Sequence, residues 1–150
     1  MYKSVVDNNE QDVVTLSTAL KRIKDGNSKE TVSQVRDGSK SRKKDLPIAL
    51  FSGVFEGRKD QDLKAHSGLI VLDFDHINVS ESKSLLGTDD YVLACWASPS
   101  GDGLKALINV SHPDKHRDHF RSPQSYFEKQ YGLEDDPTGA NEARACYENY

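Results

Sequence analysis

Cysteine is scarce in this 150-residue sequence, and tryptophan and methionine occur once each. The two cysteines, Cys95 and Cys146, sit among apolar neighbours, and neither has a CxxC partner. That excludes a disulfide framework and fits a reducing cytoplasm with both thiols buried. Long hydrophobic runs are missing too. Nothing approaches the ~18 apolar residues of a membrane span, and the opening MYKSVVDNNEQD contains no apolar signal core. Internal repeats and low-complexity tracts are absent, as is the GxxxxGK[ST] spacing of a P-loop. Hydrophobic residues make up 35% of the chain. Adding glycine brings this to about 42%, slightly below the roughly 45–50% usual for soluble domains but well above disordered chains. The length suits one domain with a single core.

What is present is a charge asymmetry beneath a net charge of −4. Residues 1–64 carry 13 basic and 10 acidic side chains, whereas residues 65–150 carry 7 and 14. The basic excess gathers at Arg36, Lys40, Arg42, Lys43 and Lys44, with Arg58, Lys59 and Lys64 following. A basic flank beside an acidic half suits a protein that grips a polyanion and sets metal-binding carboxylates against it. The same GSKSRKK run also reads as a solvated linker.

Apolar spacing predicts a helix over 15–25, ended by Gly26, and a shorter one over 31–36, before an exposed basic connector. IALFSGVF reads as a strand, and GLIVLDFD as a second one covered on both faces. A short helix over 80–86 opens on a serine cap. YVLACWA and LKALINV are strands joined by the turn SPSGDG. The helical pattern of 114–131 is expected to break at Pro123, and ARACYENY is the last strand. From Gly68 the order is β-α-β-β-α-β, that of a ferredoxin-like split βαβ sheet. The expected fold is therefore α+β: a helical, basic segment over 1–46 followed by a sheet core over 47–150, forming one domain.

Three places carry chemistry. Asp73 and Asp75 are i and i+2 at the end of a strand, so both carboxylates face one side and Phe74 the other. Two carboxylates ~4 Å apart repel by several kcal/mol at an effective dielectric near 20, which a divalent cation such as Mg²⁺ offsets. The alternative is a pair of turn caps leading into His76. In the turn, Ser98, Ser100, Gly101 and Gly103 offer hydroxyls and unobstructed backbone N–H groups, and Lys105 follows just beyond. An ordinary hairpin turn reads the same way. The run Glu134-Asp135-Asp136, with Arg144 eight residues on, would supply a third acid to a two-metal site or be exposed decoration. His112, His116 and His119 lack a cysteine partner and read as a solvated helix face.

Taken in order, LPIALFSGVFEGR, HSGLIVLDFDHI, ASPSGDGLKALINV and DPTGANEARACYENY resemble the archaeo-eukaryotic primase (primase-polymerase) superfamily. The closest resemblance is to the primase-like N-terminal domain of virulence-associated E-type proteins of bacterial mobile elements and phages. With the N-terminal helical region, it spans nearly the whole chain. The resemblance implies that Asp73, Asp75 and Asp136 are catalytic ligands of Mg²⁺ or Mn²⁺. It assigns Ser98, Ser100, Gly103, Lys105 and Arg144, with Gly101 in the same turn, to the incoming nucleoside triphosphate. Many members carry a histidine where this chain has Lys105, which keeps the phosphate contact as a point charge. The implied activity is DNA primase or polymerase nucleotidyl transfer on single-stranded template, in a bacterial or phage-infected cytoplasm. Arg36, Lys40, Arg42, Lys43, Lys44 and Arg58 would then contact template phosphates, and similar proteins continue toward a helicase-type ATPase.

Two rival readings stand beside it. A non-catalytic single-strand-binding sheet would stack a base on Phe74. A haloacid-dehalogenase-type phosphatase would use Asp73 as nucleophile and Asp75 as acid, although it lacks that class's later lysine and acidic motif.

Overall fold

A computed structural model of the chain describes residues 1–3, 11–110 and 116–150. The architecture is α+β, with small antiparallel sheets and several helices. Two helices come first, α1 (Leu16–Lys24) and α2 (Lys29–Arg36). The Thr15 side chain caps α1 by accepting from the Thr18 N–H, and Lys21, Arg22 and Lys24 complement the negative end of the helix dipole in its last turn. The basic connector is an exposed 3₁₀ turn over Lys40–Asp45.

The central sheet has three strands, β4 (Leu69–Phe74), β5 (Val92–Ala97) and β6 (Leu104–Asn109), in the order β4-β6-β5, with both pairings antiparallel. All six residues of β4 are buried, as its aliphatic run predicts. Alternation along the strand sends Ile70, Leu72 and Phe74 toward a core that also holds Leu86, Phe120 and Phe127. Leu69 and Val71 go to the opposite face, against Ala19 and Ile23 of α1, Phe51, Trp96 and Cys146. At roughly 1.5–3 kcal/mol per buried large apolar side chain, helices on both faces hold the strand in place. Helix α3 (Val79–Leu86) connects β4 to β5, and α4 (His116–Tyr131) follows β6.

Several expectations are corrected. IALFSGVF splits at a turn into β1 (Ile48–Ala49) and β2 (Gly53–Phe55), which belong to different two-stranded sheets. The partner of β2 is β3 (Leu63–His66). Buried Phe51 lies in the turn between β1 and β2, its ring 5.4 Å from that of Trp96. The cap of α3 is Asn78 rather than Ser80, bonded reciprocally to Glu81. Pro123 lies inside an unbroken α4. Phe120 and Phe127, two turns apart, anchor the helix in the core on either side of it and outweigh the ~3 kcal/mol cost of an interior proline. The last strand shrinks to β7 (Cys146–Tyr147) and pairs with β1, not with β4. The β4 edge is closed to it, because Asp135 and Asp136 already occupy that edge at Asp73. His112 lies outside the described residues, as do the side chains of His116 and His119. Among the described residues, no helix is long and apolar enough to cross a membrane.

Candidate functional site

Asp73 pairs across strands with Lys105. Its backbone N–H donates to Asp135 Oδ1 (2.6 Å), and its C=O accepts from the Asp136 N–H (3.0 Å). Both backbone groups thus point away from β6, which makes Asp73–Lys105 the narrow, non-hydrogen-bonded kind of antiparallel pair, with its side chains close together. The Lys105 ammonium donates to Asp73 Oδ2. Asp73 and Lys105 are only 9% and 4% exposed, so this charge pair lies within the sheet layer rather than on its surface. Asp73 Oδ1 is buried and has no hydrogen-bond partner.

Arg144 completes the cluster from the segment before β7, not from the strand itself. Its Nη2 donates to Asp73 Oδ2 at 3.0 Å and to Asp136 Oδ2 at 3.2 Å. Burial alone lowers the guanidinium pKa, but the Asp73 and Asp136 carboxylates outweigh it and the net shift is upward. The arginine passes over Gly139, where an added Cβ would stand 1.6 Å from Nη1 and 2.6 Å from Cζ. Any side chain at 139 would force the guanidinium to shift from this path. Two acids far apart in sequence, Asp73 and Asp136, are therefore brought together through one arginine, and with Lys105 they form a set of two negative and two positive charges.

Asp135 is the residue the sequence reading passed over. Its Oδ2 accepts from Gln124 Nε2 (2.9 Å) while Oδ1 holds the β4 edge. Burial pushes its carboxyl up to about 6, opposed by those hydrogen bonds. The acidic run signalled it, but the sequence did not show which of the three acids turns inward.

Asp75 departs from the expected geometry. The strand ends at Phe74, and Asp75 is exposed beyond it. Its carboxylate lies close to the SPSGDG turn, where an added Cβ at Gly103 would be 2.8 Å from Asp75 Oδ1 and 2.6 Å from the Phe74 carbonyl oxygen. His76 follows at φ +56, a left-handed conformation costly for a residue with a Cβ. Its Nδ1 lies 3.3 Å from Asp102 Oδ2, and the Ile77 N–H donates to the Asp102 carbonyl, tying this bend to the turn.

The turn is bonded largely to itself. The Ser98 N–H donates to the Gly103 carbonyl (2.7 Å) and the Gly101 N–H to the Ser98 carbonyl (2.9 Å). The Ser98 and Ser100 hydroxyls share a hydrogen bond, and Ser100 Oγ also donates to Asp102 Oδ1. That bond from Ser100 holds the Asp102 carboxyl below the usual range, helped by His76 and Lys43. Exposed Arg36 reaches this turn, and an added Cβ at Gly101 would meet its Nε at 3.4 Å. Arg36 and Lys29 also lie over the Tyr150 ring, and Lys43 over the Tyr147 ring. Lys40, Arg42 and Lys44 are exposed on the adjoining 3₁₀ turn, Arg42 pairing with Asp45 at 3.1 Å. Arg58 stands apart from that group, over the Tyr2 ring and in a cleft shared with Arg144.

A family model, BT4734-like, N-terminal domain, matches residues 41–150. The chain belongs to this family. The BT4734-like match takes in Asp73, Lys105, Asp135, Asp136, Gly139 and Arg144, and leaves α1 and α2 outside it. No curated protein and no solved structure matches the chain.

Proposed function

We propose that this BT4734-like domain is a metal-dependent nucleotidyltransferase of the primase-polymerase type, extending primers on single-stranded DNA. The observation that carries the reading is the convergence of Asp73 and Asp136 on one arginine, with Asp73 Oδ1 buried and unpartnered beside them. Order along the chain also favours it: β4, α3, β5, β6 and α4 follow the split βαβ sequence, with β6 between the two parallel strands. Ferredoxin-like is the finer fold reading we adopt, with its fourth strand replaced at the β4 edge by the 135–136 segment.

The donor set suits a hard cation such as Mg²⁺ or Mn²⁺, since it consists of carboxylate oxygens, one of them orphaned. Asp73 and Asp136 would hold it, with exposed Asp75 as the third ligand, although among the described residues no three such side chains are already gathered. A pair of such ions would supply the chemistry, one lowering the pKa of a primer 3′-hydroxyl and the other neutralising the leaving pyrophosphate. The chain's own residues do the rest. Lys105 and Arg144 hold the acids at fixed separation, and they supply positive charge where negative charge develops. Arg36, Lys43 and their neighbours face a template strand as a basic, sequence-indifferent surface.

Phe74 argues against a base-stacking, non-catalytic module. It is 0% exposed and edge-on to Phe127, with ring centroids 5.9 Å apart, so it has no free face for a base.

The deciding measurement is labelled nucleotide incorporation on a single-stranded template with Mg²⁺, Mn²⁺ or EDTA. Asp75→Ala and Asp136→Asn are the variants of choice, since neither residue is deeply buried. We expect metal-dependent incorporation in the wild type, reduced at least a hundredfold in each variant. Metal-independent incorporation, or full activity in both variants, refutes the reading. Asp73→Ala is a poorer probe. Removing this carboxylate strands Lys105 in the interior, at a cost of about 3–5 kcal/mol.

A further inference from the structure

Positive charge near the acid pair is divided between two places, the turn flanked by Arg36 and Lys105, and a cleft on the side of Arg144. The SPSGDG turn spends its hydroxyls and two of its N–H groups internally and carries the ionised Asp102 carboxylate. A phosphate arriving there meets a negative charge. On the other flank, a cleft of about 360 Å³ is lined by Arg58, Lys59, Asp60, Asn141, Ala143 and Arg144. Its one acid is turned onto the wall, as Asp60 Oδ1 accepts from the Ala143 N–H at 3.0 Å and so fastens the two sides together. Tyr2 sets Arg58 twice: its ring lies 5.6 Å beneath the guanidinium and its phenol donates to the Gly57 carbonyl at 2.6 Å. Arg144 links the cleft to the site, since its Nη2 is the group that holds Asp73 and Asp136.

We propose that this cleft, rather than the turn, seats the phosphates of a nucleoside triphosphate, with Arg58, Lys59 and Arg144 as their cationic partners. The assignment rests on the transferase reading for its ligand, and it moves Arg58 from the template to the nucleotide. An open cleft that shares Arg144 with the acid pair fits a compact anion that must present its reacting phosphorus beside those acids. The basic surface of Arg36 and the 3₁₀ turn, open and outside the cleft, is left for the strand. Charge-assisted contacts to phosphate are strong enough for the loss of one to be read directly.

The test is calorimetric titration of inorganic tripolyphosphate, and separately of an oligothymidylate, into the full chain carrying Arg58→Gln, Lys59→Gln, Ser100→Ala or, as a charge control, Lys64→Gln. Lys59 is exposed and its variant keeps the test valid if Arg58→Gln unfolds, which circular dichroism reports. We expect tripolyphosphate affinity to fall about tenfold or more at positions 58 and 59. Oligothymidylate affinity should change far less, and Lys64→Gln should match the wild type. Undiminished tripolyphosphate binding in both cleft variants, an equal loss in Ser100→Ala, or an equal loss for oligothymidylate each overturns the assignment. Incorporation is scored separately. If the wild type incorporates nothing but the cleft variants lose tripolyphosphate, the transferase reading fails while the cleft stands as a phosphate seat. Incorporation with unaltered tripolyphosphate binding in the cleft variants does the reverse.

Discussion

Asp135 shows how much one inward carboxyl can set. It bonds the backbone of Asp73 and the side chain of Gln124, and burial raises its pKa to about 6 from the ordinary value near 3.8. Between those two values the folded chain holds a proton that the unfolded chain has released. Stability contributed by this group is therefore greatest on the acid side and declines as pH rises from about 4 to about 6. Urea unfolding in chelated buffer should show that decline, on the order of 2 kcal/mol once partial exposure is discounted. Asp135→Asn should flatten it while keeping an acceptor for the Asp73 N–H. The residue types of this site were legible beforehand: Asp73, Asp136, Lys105 and Arg144 were all singled out, although the two bases were given to a nucleotide rather than to Asp73. The inward turn of Asp135 was not, since it depends on Gln124 and Asp73, neither of which is near it in sequence. Asp75 was misplaced for a related reason: i, i+2 alternation holds only while the strand lasts, and this one ends at Phe74.

At the level of elements, the 3₁₀ turn over Pro137–Ala140 deserves the same reading as a strand or helix, because its Gly139 is the passage through which Arg144 reaches the acids. Gly139→Ala puts a methyl group where the guanidinium now runs. We expect incorporation to fall at least tenfold as Arg144 is displaced, and stability to fall by about 1–3 kcal/mol, as for an overpacked site. Gly132→Ala, with open space around its Cβ but φ +65, is the converse comparison: it strains the backbone without touching Arg144, and should cost stability while leaving incorporation unchanged. Periodicity located every long element, β4 most clearly. It failed on the short ones, β1, β2 and β7, whose two or three residues carry too little pattern to reveal a partner. Pairing there is decided by which edges remain open, and the β4 edge was closed by the Asp135 side chain and the Asp136 backbone N–H.

For the molecule as a whole, the family match and the folding unit have different limits. The match begins at residue 41, yet α1 covers one face of the central sheet, and Arg22 on that helix donates to the buried Glu148 through Nε (2.5 Å) and Nη2 (3.1 Å). Ser28 Oγ donates to the same carboxylate. A chain reduced to 41–150 uncovers Val71, Leu107 and Trp96 and leaves Glu148 buried without either partner. It should lack a cooperative thermal transition and bind a hydrophobic dye, where the full chain does neither. A cooperative, dye-free melt of the fragment would show that α1 is dispensable.

The two-plus-two charge set at Asp73, Lys105, Asp136 and Arg144 has a final consequence. Its members balance one another, so a ligand of either sign that engages one of them unsettles the other three. A cation drawn to the acids would loosen the hold on Lys105 and Arg144 and ready them for an anion, and an anion that took those bases would leave the acids wanting a cation. Should this set bind such ions, occupancy by either is expected to raise affinity for the other, and by thermodynamic reciprocity the two enhancements would be equal in size.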